Sequence, residues 1–197
     1  VRVAVMGATG AVGREILLTL EQRHFPYSAI KLLASERSAG KKIHFRNKEY
    51  TVEELTENSF DGVDIALFSA GGDRSRQFGP AAVKAGAVVV DNSSAFRMDP
   101  ETPLVIPEIN PEDIDKHKGI IANPNCSTII GIVPIWPLHK ANPVKRFIAS
   151  TYQAASGAGQ AAMLELMDQS REVLDGKEAT CNTLRYPLAF NCYAHDS

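Results

Sequence analysis

Residues 1–13, VRVAVMGATGAVG, constrain the fold more than any other stretch of this chain. The apolar run VRVAVM has the length and β-branched content of a strand. It passes without a linker into three glycines, Gly7, Gly10 and Gly13. AVGREILLTLEQR then reads as a helix over residues 11–23, with Val12, Ile16 and Leu20 as its apolar row. One glycine permits the tight turn, one lets the backbone approach a phosphate, and one lets the helix pack against the strand. The helix N-terminus then offers amides and a partial positive charge to a pyrophosphate. The spacing GxxGxxG is a variant of the dinucleotide fingerprint, in the strand–turn–helix setting that the fingerprint requires. The other reading is a turn of purely structural use.

The first half of the chain repeats this alternation. AIKLLA (29–34), VDIALFS (63–69) and AVVVDNS (87–93) read as strands, RSRQFGPAAVKAG as a helix between the last two, and GIIAN (119–123) as a further strand. Their near-continuous apolar character is that of strands covered on both faces. Strands alternating with helices imply crossover connections and a parallel sheet. Residues 1–122 are therefore read as an α/β domain, a Rossmann-like doubly wound parallel sheet. The pattern then changes. KRFIASTYQAASGAGQAAMLELMDQSREVL reads as strand, glycine turn and long helix, with Met163, Leu166, Met167 and Val173 as its buried row. Residues 123–197 are expected to begin a second, incomplete α+β domain.

Composition excludes several classes of function. A net charge of −2 over 197 residues gives no reason to expect nucleic acid or an anionic membrane surface as a partner. No apolar run approaches the roughly 18 residues of a membrane span. Three cysteines, Cys126, Cys181 and Cys192, are too few for a disulfide scaffold and fit a reducing compartment. The cytoplasm is the expected location, or a plastid if a transit peptide has been removed. Cys181 and Cys192 read as structural thiols. His24, His44, His117, His139 and His195 pair with no cysteine or carboxylate at a ligand spacing, so no metal is expected.

The end of the second strand bears on the cofactor. Enzymes that use NAD carry an acidic residue about 20 residues past the glycines, where it holds the ribose hydroxyls. Here IKLLA runs into SERSAGKK (35–42). Ser35, Arg37 and Ser38, with Lys41 and Lys42 nearby, suit a 2′-phosphate, whereas Glu36 argues for NAD. The balance favours NADP; a solvated basic turn is the other reading.

ANPNCST (122–128) places Cys126 at a strand-to-helix turn, with Asn125 suited to the cap and Ser127 and Thr128 to the first turn. The positive end of a helix favours a thiolate. A thiolate can attack an acyl carbon and hold it as a thioester, and a nearby nicotinamide can exchange a hydride with that carbon. A lone cysteine is otherwise a small buried residue; the nucleotide motif turns the reading toward a nucleophile. DNSSAFRM (91–98) follows a strand end, where ligands gather in open α/β sheets. Its Arg97 suits a carboxylate or phosphate, or an ordinary surface ion pair. In QAASGAGQ (153–160), Ser156 and Gly157 could touch a cofactor, and Gln153 could orient a substrate through its amide.

Taken together, GATGAVG, LLASERSAGK, ALFSAGG, VVVDNSSAFRM, PLVIPEINP, IANPNCSTI and STYQAASGAG resemble aspartate-β-semialdehyde dehydrogenase, in order and over essentially the whole chain. The resemblance implies reduction of L-4-aspartyl phosphate to L-aspartate 4-semialdehyde and phosphate with NADPH, by a homodimer or homotetramer. That reaction stands at the branch to lysine, threonine, methionine and isoleucine. Cys126 would displace phosphate and form the acyl-enzyme, with Gln153 positioning the substrate. Thr9, Gly10, Ala11 and Val12 would line the NADP pyrophosphate beside Gly7 and Gly13. Arg37 and Ser38 would hold the 2′-phosphate next to Ser35, and Ser156 and Gly157 would meet the nicotinamide end. Arg97 and Asn125 would bind the substrate phosphate. The family's phosphate-binding lysine, carboxylate-binding arginine and acid/base histidine fall beyond residue 197. A truncated chain that binds NADP but turns over little is therefore expected. N-acetyl-γ-glutamyl-phosphate reductase, which shares the fold, usually shows GCYPT where this chain has NCST. A non-catalytic NADP-binding or scaffolding homologue is the remaining alternative.

Overall fold

The computed structural model describes residues 1–194; His195, one of the histidines read as no metal ligand, lies outside the described residues. In chain order the elements are β1 (Arg2–Met6), α1 (Ala11–Gln22), β2 (Ala29–Ala34), β3 (Lys42–Phe45), β4 (Lys48–Thr51) and β5 (Glu53–Glu54). There follow β6 (Ile65–Phe68), α2 (Gly72–Lys84), β7 (Val88–Asp91), β8 (Ile120–Ala122), α3 (Cys126–Ala141) and α4 (Gln160–Leu174). Two compact units result, Val1–Ser150 and Thr151–Ser197. Among the described residues no helix is long and apolar enough to cross a membrane.

The first unit is a parallel sheet in the order β5-β2-β1-β6-β7-β8. The side-chain period of two, with a core on each face, explains why the inner strands β1, β2, β6 and β7 are mostly apolar, while the edge strand β5 is the exposed pair Glu53–Glu54. Val3 and Val5 of β1 enter one core with Leu17 of α1 and Ile30 and Leu32 of β2. Ala4 and Met6 enter the other, with Phe60, Ala66 and Phe68, under Phe78 and Ala82 of α2. The chain winds outward from β1 through β2 to β5, then returns to pair β6 on the other side of β1. The loops leaving β1 and β6 therefore part in opposite directions, and the crevice between them is where such sheets bind ligands. The doubly wound parallel sheet expected from the sequence is the fold observed.

Three local expectations are corrected. The buried row of α1 is Gly13 and Leu17, while Val12 is 42% exposed. Ile16 and Leu20 pack only at the edge of the core. The helix is rolled so that Gly13 meets the turn, which gives the contact to the residue without a side chain. KRFIAS does not become a strand: residues 143–150 are exposed and, among the described residues, no strand runs beside them to pair. The buried row of α4 is polar, Glu165 and Gln169 with Ala162, while Met163, Met167 and Val173 are exposed and Leu166 is half-buried.

The polar row of α4 has a cause. Residues 177–194 form no regular element, so their amides need acceptors from side chains. Glu165 accepts from the amides of Asn182, Thr183 and Leu184. Burial opposes its ionisation, but those amides outweigh it and hold the carboxyl below its usual range. A lowered folded pKa means that this contribution is complete at neutral pH and is lost as pH falls through the folded value. Gln169, fully buried, accepts from Leu188 and Ala189 at 2.8 and 3.2 Å and donates to the Thr180 carbonyl at 3.0 Å. Gln169→Ala would orphan all three groups. It is expected to weaken the local structure by about 2–4 kcal/mol, read as lost hydrogen-exchange protection at the Leu188 and Ala189 amides with β1 unaffected.

Candidate functional site

Two groups of residues gather at the carboxyl ends of the strands. The first lines a cleft of about 240 Å³ at the point where the strand order reverses. Gly7, Thr9 and Gly10 come from the loop after β1, Ala34, Ser35 and Arg37 from the end of β2 and the turn after it, and Ser69, Ala70 and Arg74 from the segment after β6, with Leu55 beside them. Gly7 has φ +84°, and a Cβ there would lie 2.7 Å from the Ser69 carbonyl oxygen. Only glycine lets the two loops press together this closely. Gly10 caps α1 without a side-chain bond, and the first turn of α1 holds no acidic residue. The amides of Ala11 and Val12 therefore face no competing anion of their own helix.

Charge in the cleft is one-sided. Arg37 and Arg74 line it and no carboxylate does. Glu36 sits in the short helical turn Glu36–Ser38, exposed and outside the lining. Ser38 is buried, with Lys41 Nζ 3.5 Å from its hydroxyl, and does not line the cleft either. Gly13 packs rather than lines. The sequence reading missed Arg74 and Ser69. Both lie in SAGGDRS, 62 and 67 residues after Gly7, and only the return of β6 beside β1 brings them to the fingerprint loop.

The second group follows β7 and β8. Asp91, fully buried, accepts from Ser75 Oγ at 2.7 Å, Ser93 Oγ at 2.7 Å and the Ser93 amide at 3.1 Å. This fixes the start of the loop that carries Arg97. Arg97 forms no ion pair with any described residue. Its Nε donates to the Asn123 carbonyl at 2.9 Å and its Nη2 to the Asn92 carbonyl at 3.1 Å. It thereby ties the loop after β7 to the loop that leads to Cys126, and the Asn123 side chain donates to Asn92 Oδ1 across the same join. Asn125 is the N-cap of α3, its Oδ1 accepting from the Ser127 amide at 2.9 Å. Cys126 is the first residue of α3 and is exposed, so it is not a small residue lost in the core. Cys181 and Cys192 are exposed as well.

Gln153, Ser156 and Gly157 belong to the second unit, exposed on and before the helical turn Ala155–Ala158 that leads into α4.

Residues 2–117 match the family described as semialdehyde dehydrogenase, NAD binding domain. The chain belongs to the semialdehyde dehydrogenase family. A second match, over residues 135–197, is to the semialdehyde dehydrogenase dimerisation domain. The chain is 54% identical over 197 residues to aspartate-semialdehyde dehydrogenase of Synechocystis sp., covering 100% of this chain and 58% of that protein. The solved structure of aspartate semialdehyde dehydrogenase II from Vibrio cholerae, complexed with ASA, is 47% identical, with a TM-score of 0.92 over 96% of this chain and 57% of that one. A Candida albicans aspartate semialdehyde dehydrogenase solved with NADP is 30% identical, with a TM-score of 0.61 over 73% of this chain and 48% of that one. The chain thus spans about 58% of the length of such a relative. Within the semialdehyde dehydrogenase family, both groups of residues described above fall in or between the two matched regions.

Proposed function

We propose that this protein reduces L-4-aspartyl phosphate to L-aspartate 4-semialdehyde with NADPH, through an acyl-enzyme on Cys126. The observation that carries the reading is an exposed cysteine at the capped N-terminus of α3, on a loop strapped by Arg97, in a chain whose first unit opens on an anion-friendly crevice.

Residues 1–122 would hold the dinucleotide. The pyrophosphate would lie over the head of α1, at Thr9, Gly10, Ala11 and Val12, with Gly7 and Gly13 making the close approach possible. Ser35 and Arg37, with Ser38 and Lys41 behind them, would take the 2′-phosphate. A lining without a carboxylate favours NADP over NAD, because an acid that served the ribose hydroxyls of NAD would repel that phosphate. Bound NADPH supplies the hydride that reduces the acyl group.

Cys126 would attack the acyl-phosphate carbon as the thiolate. A C–S bond forms, the C–O bond to phosphate breaks, and inorganic phosphate leaves with the electron pair. After reduction, the C–S bond breaks, the aldehyde departs and the thiolate returns. Arg97 donates two of its hydrogen bonds to carbonyls, and its Nη1 makes none with the described residues, leaving it for the substrate phosphate. Asn125 would serve the same phosphate, and Gln153 would orient the acyl group. Ser156 and Gly157 would meet the nicotinamide end. A homodimer would cover the exposed apolar row Met163, Leu164 and Met167 of α4.

Intact-mass analysis tests the reading. Aspartyl phosphate is expected to leave one aspartyl group on Cys126, removed by added phosphate, and N-acetyl-γ-glutamyl phosphate to leave almost none. Acylation by the second compound alone, or no adduct at Cys126, would overturn it.

A further inference from the structure

We infer that Arg74 joins Arg37 in a two-guanidinium clamp on the ribose 2′-phosphate of NADP, and that Arg74 sets the preference over NAD. The inference rests on the nucleotide reading above and extends it to a residue that the fingerprint does not contain.

Both arginines line the cleft at the strand-order reversal, Arg37 from the turn after β2 and Arg74 from the first turn of α2. They come from the two segments that flank the glycine loop. Neither forms a hydrogen bond or ion pair with any described residue. Their neighbours differ: Arg76, two residues on, is tied to Asp73 at 2.7 Å, and Arg97 is tied to two carbonyls. Two guanidiniums lining one cleft, with no carboxylate in the lining to neutralise them, make it favourable to a dianion. The head of α1 already offers amides to the pyrophosphate, which leaves the arginine pair for a further phosphate. A phosphate monoester carries enough acceptor oxygens for a forked contact from each side.

The backbone of Arg74 is held in place. Ser75, the next residue, is fully buried and donates to Asp91 at the end of β7. The first turn of α2 therefore cannot swing away from the cleft without breaking a buried hydrogen bond. Leu55 and Ala70 add apolar lining to the same cleft, suited to a flat base.

Calorimetric titration of the protein with adenosine 2′,5′-bisphosphate and with 5′-AMP tests this. Arg74→Leu is expected to weaken the bisphosphate by about ten- to a hundredfold, the loss of one charge-assisted contact. Binding of 5′-AMP should change less than about threefold, the size of a minor contact. Arg74→Lys should restore part of the loss. The ligand-free melting temperature of Arg74→Leu should match that of the parent, since the side chain is exposed and unpartnered. Equal weakening of both ligands, or of neither, overturns the assignment of Arg74. A parent protein that binds the two ligands equally overturns the NADP reading itself, and the clamp with it.

Discussion

Cys126→Ala is expected to lower the rate of acyl-enzyme formation by at least about 10⁴-fold. NADP affinity should stay within about twofold, because the side chain removed lies outside the nucleotide cleft. The two halves of the result separate chemistry from folding. Alanine is a good helix former, the cap from Asn125 to the Ser127 amide does not involve the thiol, and residue 126 is exposed. The substitution should therefore shift stability by no more than about 0.5 kcal/mol. Stopped-flow release of phosphate and fluorescence titration of NADPH read the two quantities. Acyl transfer surviving in Cys126→Ala would remove the nucleophile from the mechanism. A joint loss of acyl transfer and NADP binding would mean that α3 supports the cleft structurally. Cys126→Ser is the sharper companion: a hydroxyl in the same place is not ionised at neutral pH, so it should acylate almost as poorly as alanine.

The inner strands β1, β2, β6 and β7 were legible because they are covered on both faces, whereas the largely exposed β3, β4 and β5 carry no such signal. Val3, Ala4, Val5 and Met6 all enter a core, alternately on opposite sides of the sheet, and leave a continuous apolar run in the sequence. Helix orientation was less legible. In α1 the closest contact is made by Gly13, which carries no hydrophobic signal, so the row Val12, Ile16, Leu20 was read with its centre one step around the helix: Ile16 and Leu20 reach the edge of the core and Val12 does not. In α4 the buried positions belong to Glu165 and Gln169, whose task is to feed amides of a segment with no regular structure. That need arises from a tertiary neighbour and has no periodicity. The site divides along the same line. The fingerprint loop, Ser35, Arg37 and the Asn125–Cys126 cap are local in sequence and could be read as local motifs. Arg74 is not. An arginine near the start of a helix looks like any solvated charge until β6 is known to pair with β1. Arg97 shows a third case: its residue type suggested an anion or an ion pair, whereas two of its donors hold backbone carbonyls of loops 31 residues apart.

Gly13→Ala should cost the first unit about 3 kcal/mol or more. For a protein of this size that lowers its melting temperature by roughly 6–12 °C. An added Cβ would sit 2.1 Å from the Gly7 carbonyl oxygen and 2.8 Å from the Ala8 Cα. Both are backbone atoms, so no side chain can turn aside. Either α1 lifts from β1, uncovering Leu17 and the core beneath it, or the turn at Gly7 is displaced. That turn has little room, because the Gly7 amide donates to the Leu33 carbonyl at 2.8 Å and its Cα faces the Ser69 carbonyl. Either movement would distort the loop proposed to cradle the pyrophosphate, so dinucleotide affinity should fall by more than about tenfold alongside the stability. Gly10→Ala provides the contrast. Gly10 has φ −76°, and its added Cβ would meet only the Gly7 carbonyl oxygen, at 3.3 Å. Its cost should fall on binding, where a methyl group intrudes on a phosphate, with a melting temperature near that of the parent. If Gly13→Ala melted with the parent while Gly10→Ala did not, the assignment of one glycine to packing and the other to ligand approach would be reversed.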